Sequence, residues 1–317
     1  MPATPPLTFD ATLQRMYQRE GIDTLPAHLE QAYGIAVAKL TQLDVGVFRV
    51  DRSDSDTTVV ARLFSAARPQ AAAEADLAVL RYLAEIGFPS ERPFTDTVTR
   101  HEGQAVLLTE FLKEVPKAKR PPYPIIRLGA MIGRLHGLAV PEGADRPAGG
   151  LHHFSEGTMA DELSAAAGWI DSIESDATSG VLDALGELRS ALDGADGGVG
   201  LPEAFVHPDP VPKNAIFTAE GPVLVDWTSA GRGPRLASMT LVLHSGWAAV
   251  PFMKGYAKHV ALTDDERERL PELLFSRHLI GAVFRVCREP KSATGAAKKL
   301  TTVRRECEGK AIELLGS

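Results

Sequence analysis

The sequence predicts an α+β fold of two lobes, a small β-rich lobe followed by a larger, mainly helical one, with a cleft between them. Three observations carry this. Short β-branched runs crowd the first third of the chain, a proline-rich basic tract interrupts the pattern at residues 115–124, and most of the remaining chain reads as helix. At 317 residues the chain can bury one large core or, more comfortably, two.

In chain order, residues 11–33 show scattered helical periodicity through Leu13, Met16, Tyr17, Leu25, Leu29 and Tyr33. Three strands are predicted over residues 35–41, 45–51 and 57–64, with the polar tract at 51–56 supplying turn residues. Residues 70–86 form an amphipathic helix, with Leu77, Leu80 and Leu83 on one side and Gly87-Phe-Pro89 as its stop. Two further strands, 95–100 and 104–110, turn at His101-Glu-Gly103. Beyond the connector, residues 125–138 form a helix with Ile126, Leu128, Met131, Ile132, Leu135 and Leu138 as its apolar side. Residues 141–150 read as loop, 158–175 and 180–192 as helices, and 193–200 as a Gly/Asp linker. The lobes are placed at residues 1–112 and 113–317.

Composition narrows the function classes. With 44% hydrophobic and 24% charged residues, the chain resembles an ordinary soluble domain. No apolar run approaches the roughly 18–20 residues that span a bilayer. The first seven residues lack a signal-peptide pattern and read as a flexible arm. Cys287 and Cys307 have neither metal-ligand spacing nor a disulfide framework. A cytoplasmic protein without membrane or nucleic-acid partners is expected, since the net charge is −7 and nucleic-acid binders usually present a basic face. The acid is uneven: residues 154–206 hold eleven Asp or Glu and one basic residue, Arg189. Such a segment either attracts a cationic substrate or forms a solvated acidic helical face.

The chemistry concentrates between Phe205 and Trp227, which contain His207-x-Asp209-x4-Asn214 and then Asp226. Apolar runs at 215–218 and 223–225 flank Ala219-Glu-Gly-Pro222, which predicts a β-hairpin. A hairpin brings Asn214 and Asp226 to neighbouring strand ends, because paired strands lie about 5 Å apart. Amide and carboxylate oxygens are hard ligands suited to Mg²⁺ that is also held by substrate phosphates. Asp209, on a proline-stiffened loop, would accept or orient the proton of an incoming hydroxyl. His207 reads as a buried support hydrogen-bonded to backbone. Lys213 either meets nucleotide or an anionic acceptor, or faces solvent. Arg232 and Arg235 could stabilise phosphate, although nearby glycines suggest an exposed loop.

This stretch resembles the His-x-Asp-x4-Asn motif, with its following Ile-Asp-Trp, of the aminoglycoside phosphotransferase and choline kinase family. The similarity covers nearly the whole chain and implies a protein-kinase-like fold. By that resemblance Arg62, in Ala61-Arg-Leu-Phe64, binds nucleotide phosphates. An acid of the following helix, Glu74 or Asp76, would pair with it. Glu110, Phe111 and Leu112 would present backbone groups to adenine, and Gly46 would lie in the phosphate-covering loop. Gly133-Arg-Leu-His136 would carry packing. The implied activity is ATP- or GTP-dependent O-phosphotransfer to a small hydroxyl-bearing molecule, such as an aminoglycoside-like antibiotic, sugar or amino alcohol. Mg²⁺ is the implied cofactor.

The sequence departs from the family pattern in places. Residues 43–48 contain one glycine, and Pro208, Pro210, Val211 and Lys213 alter the catalytic loop. Arg62 replaces the common Lys but can fork to two phosphate oxygens. Ser238 stands where the family usually has a bracing Asp. The thin loop and Ser238 favour an alternative, a catalytically silent nucleotide-binding module; Asp209, Asn214 and Asp226 oppose it.

Overall fold

The computed structural model describes residues 8–149, 157–173 and 179–316. The predicted arm at residues 1–7 and parts of the acidic segment lie outside them. The chain opens with α1 (Phe9–Tyr17) and α2 (Leu25–Tyr33), followed by β1 (Val37–Asp44), β2 (Val47–Arg52), β3 (Thr58–Leu63), α3 (Gln70–Glu85), β4 (Thr99–His101) and β5 (Gln104–Glu110). The strands form one antiparallel sheet in the order β1-β2-β3-β5-β4. Their period-two alternation serves two cores. On β5, Val106 and Leu108 join Leu25 and Leu29 of α2 on one face; Ala105 and Leu107 join Leu77 and Leu80 of α3 on the other.

Two hairpin turns set the sheet's register. Between β1 and β2 the turn is Val45-Gly46, with Asp44 opposite Val47. Gly46 has φ 70°, and a Cβ there would sit 2.3 Å from the Leu63 carbonyl, so only glycine fits. Between β4 and β5, Glu102 and Gly103 both take positive φ, 47° and 81°, the pattern of a type I′ turn.

The helical periodicity of residues 11–33 resolves into two helices. The chain breaks between them at Gly21, φ 66°. The first helix packs away from the sheet. Phe9 meets the rings of Trp169 and Phe284 edge-on at 5.4 and 5.0 Å, and Trp169 Nε1 donates to Thr12 Oγ1 at 3.1 Å.

After a connector, the larger lobe contains α4 (Pro124–Leu135), α5 (Met159–Ile173), α6 (Ser179–Asp193), β6 (Glu203–Val206), β7 (Ala215–Phe217), β8 (Pro222–Leu224) and β9 (Gly231–Pro234). It ends in α7 (Arg235–His244), α8 (Ala249–Tyr256), α9 (Asp264–Arg288), α10 (Ala293–Ala297) and α11 (Leu300–Leu315). The connector runs beside the second lobe's β7: the Val115 N–H donates to the Phe217 carbonyl at 3.0 Å, and Arg120 lies over the Phe217 ring at 4.9 Å. No helix among the described residues is long and apolar enough to cross a membrane.

Candidate active site

The β7–β8 hairpin forms at the junction of the lobes. Ala215 pairs with Leu224, and the Val225 N–H donates to the Asn214 carbonyl at 2.9 Å, which carries the pairing one step past the strands. Asn214 therefore faces Val225, and Asp226 follows directly. The hairpin is also joined to the chain entering the first lobe's sheet: the Leu224 N–H donates to the Pro89 carbonyl at 3.0 Å, and the Glu91 N–H to the Leu224 carbonyl at 2.8 Å.

β6 pairs with β9 and delivers the next segment to the same place. His207 uses both ring nitrogens. Nδ1 accepts the Asp209 N–H at 3.1 Å, and Nε2 donates to the Val225 carbonyl at 3.0 Å. Its ring meets Trp227 edge-on at 4.8 Å. Asp209 is 9% exposed; Asn214 Nδ2 donates to its Oδ2 and to its carbonyl, each at 2.9 Å. Lys213 Nζ lies 3.5 Å from Asp209 Oδ2 on a side chain that is 76% exposed. Since the Asn214 amide nitrogen faces Asp209, its oxygen, which has no hydrogen bond among the described residues, points elsewhere.

Asp226 has a left-handed backbone, φ 67°, a region that few residues other than glycine enter, Asn and Asp more readily than most. Its Oδ1 accepts from Arg62 Nη1 at 2.8 Å and from Thr228 Oγ1 at 3.0 Å. Its N–H donates to Glu91 Oε1 at 2.7 Å, and Thr109 Oγ1 donates to Glu91 Oε2 at 3.1 Å. Burial works against the Arg62 charge, but the carboxylates of Asp226, Glu91, Asp76 and Asp44 outweigh it and raise the Arg62 pKa. Burial pushes the Glu91 carboxyl up; the Asp226 charge adds to the shift and Arg62 opposes it.

The expected pairing of Arg62 with an acid of α3 is not made: its ion pair is with Asp226. Glu74 faces solvent and accepts from Gln70 at 2.9 Å. Asp76 is 1% exposed and serves another end of the site. It accepts from Arg68 at 2.8 Å, from Arg146, and from the Ser229 N–H at 3.0 Å; Arg68 also donates to Ser229 Oγ at 2.9 Å. Asp76 thus fastens α3 to the segment after Asp226.

The other residues expected to face nucleotide make close contacts of their own. The Gly46 carbonyl accepts the Leu63 N–H at 2.7 Å, and Arg19 Nε donates to the Leu63 carbonyl at 2.7 Å. Burial, with the Arg62 charge adding to it, lowers the Arg19 pKa to about 10. At the end of β5, the Glu110 and Phe111 N–H groups are already bonded, to the Arg92 and Thr58 carbonyls. The Leu112 N–H has no hydrogen bond among the described residues.

Other sequence candidates are engaged elsewhere. Arg235 binds Glu266 through two contacts of 2.7 Å, and Arg232 reaches Asp145 at 3.2 Å. Ser238 Oγ donates to the Arg235 carbonyl at 2.8 Å, within its own helix. Four acids of the 154–206 segment are paired: Asp171 and Asp193 with Arg189, Asp196 with Arg269, Glu162 with Arg277. Three of them line a cavity of about 780 Å³ with Arg189 and Arg269, so its charge is partly compensated rather than open to a cation. Glu91, Arg19, Arg68 and Arg146 escaped sequence reasoning. Each stands alone in a loop or element end, and no spacing links it to the motif.

Among the described residues, no group of three or more His, Cys, Asp or Glu is arranged for a metal ion. Asn214 and Asp226 instead offer the smaller oxygen donor set of a site that takes its remaining ligands from phosphate and water. The donor chemistry fits a hard divalent cation.

The model of the phosphotransferase enzyme family matches residues 43–273. Among curated proteins, none matches the sequence significantly. Solved structures share the fold. An amicoumacin kinase in complex with AMP-PNP, Ca²⁺ and Ami superposes with a TM-score of 0.58 at 18% identity, over 90% of this chain and 93% of that one. A choline/ethanolamine kinase family protein from Mesorhizobium loti gives 0.57 at 18% identity, over 93% and 99%. A choline kinase from Streptococcus pneumoniae gives 0.56 at 11% identity, over 90% and 98%.

Proposed function

Because this chain belongs to the phosphotransferase enzyme family, and so is a small-molecule phosphotransferase with a hydroxyl acceptor, we propose that it transfers the γ-phosphoryl group of ATP or GTP, with Asp209 as base. The observation that carries this is the meeting of Asp209, Asn214, Asp226 and Arg62 at one junction. Asn214 and Asp226 would hold Mg²⁺, which would neutralise charge on the nucleotide phosphates.

The chain's own groups divide the work. Asn214 fixes one oxygen of the Asp209 carboxylate by hydrogen bond, so the base is oriented before the acceptor arrives. The acceptor oxygen forms a bond to Pγ as the bond from Pγ to the bridging oxygen of the diphosphate breaks, and the hydroxyl proton passes to Asp209. Arg62 brings a permanent positive charge from the first lobe, suited to the departing diphosphate. His207 holds the Asp209 loop against the hairpin.

The acceptor is proposed to be an antibiotic, sugar or amino alcohol bearing a free hydroxyl. Structural neighbours include an amicoumacin kinase and a choline kinase, which supports that range. The test is a panel of such acceptors with Mg-ATP and Mg-GTP, following acceptor-dependent release of nucleoside diphosphate. Turnover that survives unchanged in Asp209→Asn would overturn the assignment of the base.

A further inference from the structure

We infer that Glu91 is a positioning residue for the metal site: it holds the backbone of Asp226 in the conformation that presents its carboxylate. This rests on the reading of Asp226 as a metal ligand.

Strand β8 ends at Leu224, so the sheet ladder offers nothing to the Asp226 N–H. That group must bond elsewhere or be buried unsatisfied. Glu91 Oε1 accepts it at 2.7 Å. The bond is made by the residue whose φ of 67° costs about 1–3 kcal/mol and persists only where the surroundings enforce it. The acceptor is itself fixed. Glu91 is 5% exposed, its other oxygen takes the Thr109 hydroxyl at 3.1 Å, and its own N–H is bonded to the Leu224 carbonyl at 2.8 Å. Glu91 therefore grips the hairpin by its backbone and the following residue by its side chain.

Arg62 Nη1 holds Asp226 Oδ1 at 2.8 Å, so Arg62 fixes the side chain of Asp226 while Glu91 fixes its backbone. Side chains that orient a metal ligand commonly change metal affinity by about 10- to 100-fold when removed.

The experiment is Mn²⁺ titration of the full chain with a non-hydrolysable ATP analogue, read by electron paramagnetic resonance and calorimetry. Glu91→Gln leaves one accepting oxygen where the carboxylate offers two, to the Asp226 N–H and the Thr109 hydroxyl; Glu91→Ala leaves none. The Mn²⁺ midpoint is expected to rise about 10-fold in Glu91→Gln and up to about 100-fold in Glu91→Ala, with analogue binding in the absence of metal little changed. A Glu91→Gln protein with an unshifted midpoint overturns the inference, whether or not the alanine variant folds. Equal weakening with and without metal also overturns it, since that marks a general loss of structure. Asp226→Asn serves as the reference. If it too leaves the Mn²⁺ midpoint unmoved, the metal-ligand reading of Asp226 fails; if it shifts while the Glu91 variants do not, only the role of Glu91 fails.

Discussion

Asp209 bonds with residues two and five positions away, donating its N–H to His207 and accepting from Asn214, whereas Asp226 reaches Glu91 and Arg62 across 135 and 164 positions. The first carboxylate is oriented by a short loop, stiffened by prolines and closed by its own asparagine. The second is set by the other lobe: Arg62 on β3 and Glu91 before β4 bind Asp226, while Asp76 on α3 binds the following Ser229. The proposed base is thus independent of how the lobes sit, and the proposed metal ligand depends on it. Substitution of Asp209 itself should act on the chemical step alone. Those around Asp226 should act on nucleotide, metal and stability together.

Asp209→Asn is the sharpest test of the first half. Loss of a general base lowers turnover by about 100- to 10,000-fold, and here nucleotide affinity and thermal midpoint should stay near those of the unchanged protein. A large fall in stability would break the claim that this loop is locally wired. Asp76→Ala tests the second half. It strands Arg68, whose side chain is 1% exposed, and Arg146 without their shared carboxylate. Breaking a buried ion pair from one side costs about 3–5 kcal/mol, which urea unfolding would read, and nucleotide affinity should fall with it. Arg62→Ala is expected to do less. Charged hydrogen bonds contribute about 1.5–3 kcal/mol, so nucleotide affinity should drop roughly 10- to 100-fold with turnover at saturation changed less. Equal effects of Arg62→Ala and Asp209→Asn on saturated turnover would erase the distinction between the loops.

The same contrast decides what was legible in the sequence. The His207–Asn214 loop and the hairpin to Asp226 could be read because turn chemistry and strand length fix local geometry. The strands of the sheet were read within a few residues of their ends, since alternation and turn residues mark them. Partners chosen across the lobes were not. Helical phase left Glu74 and Asp76 equivalent, and only packing turned Asp76 inward to Arg68 and Arg146. Glu91 carries no motif. Its role exists because the chain before β4 lies beside Leu224. The acidic run at 154–206 read either as a lure for a cation or as a solvated face, because Arg269 and Arg277, the partners of Asp196 and Glu162, are supplied by a helix far along the chain.

The smallest effect separates stability from chemistry by pH. His136 closes α4, and its Nδ1 pairs with the Tyr256 hydroxyl of α8 at 3.0 Å. Its Nε2 is buried without a partner among the described residues. Protonation would leave a charge there unsolvated, so burial, aided by the Arg235 charge, pushes the His136 pKa down to about 3. The unfolded chain regains an ordinary value near 6.5. Above about pH 6.5 both states are neutral and nothing is gained or lost. As the pH falls from there towards about 3, the unfolded state takes up a proton that the folded state refuses, and stability drops by at most about 1.4 kcal/mol per pH unit. His28, His244 and His278 are shifted in the same direction, chiefly by burial, and steepen the loss. His136→Gln stays neutral throughout and keeps an acceptor within reach of Tyr256. It should be somewhat less stable at pH 8 yet lose less between pH 7 and 5, as thermal melts across that range would show. Its pH profile for acceptor turnover should match that of the unchanged protein, because no hydrogen bond or ion pair among the described residues joins His136 to the Asp209 loop. A parallel acid sensitivity in both proteins would remove His136 as a source of the effect.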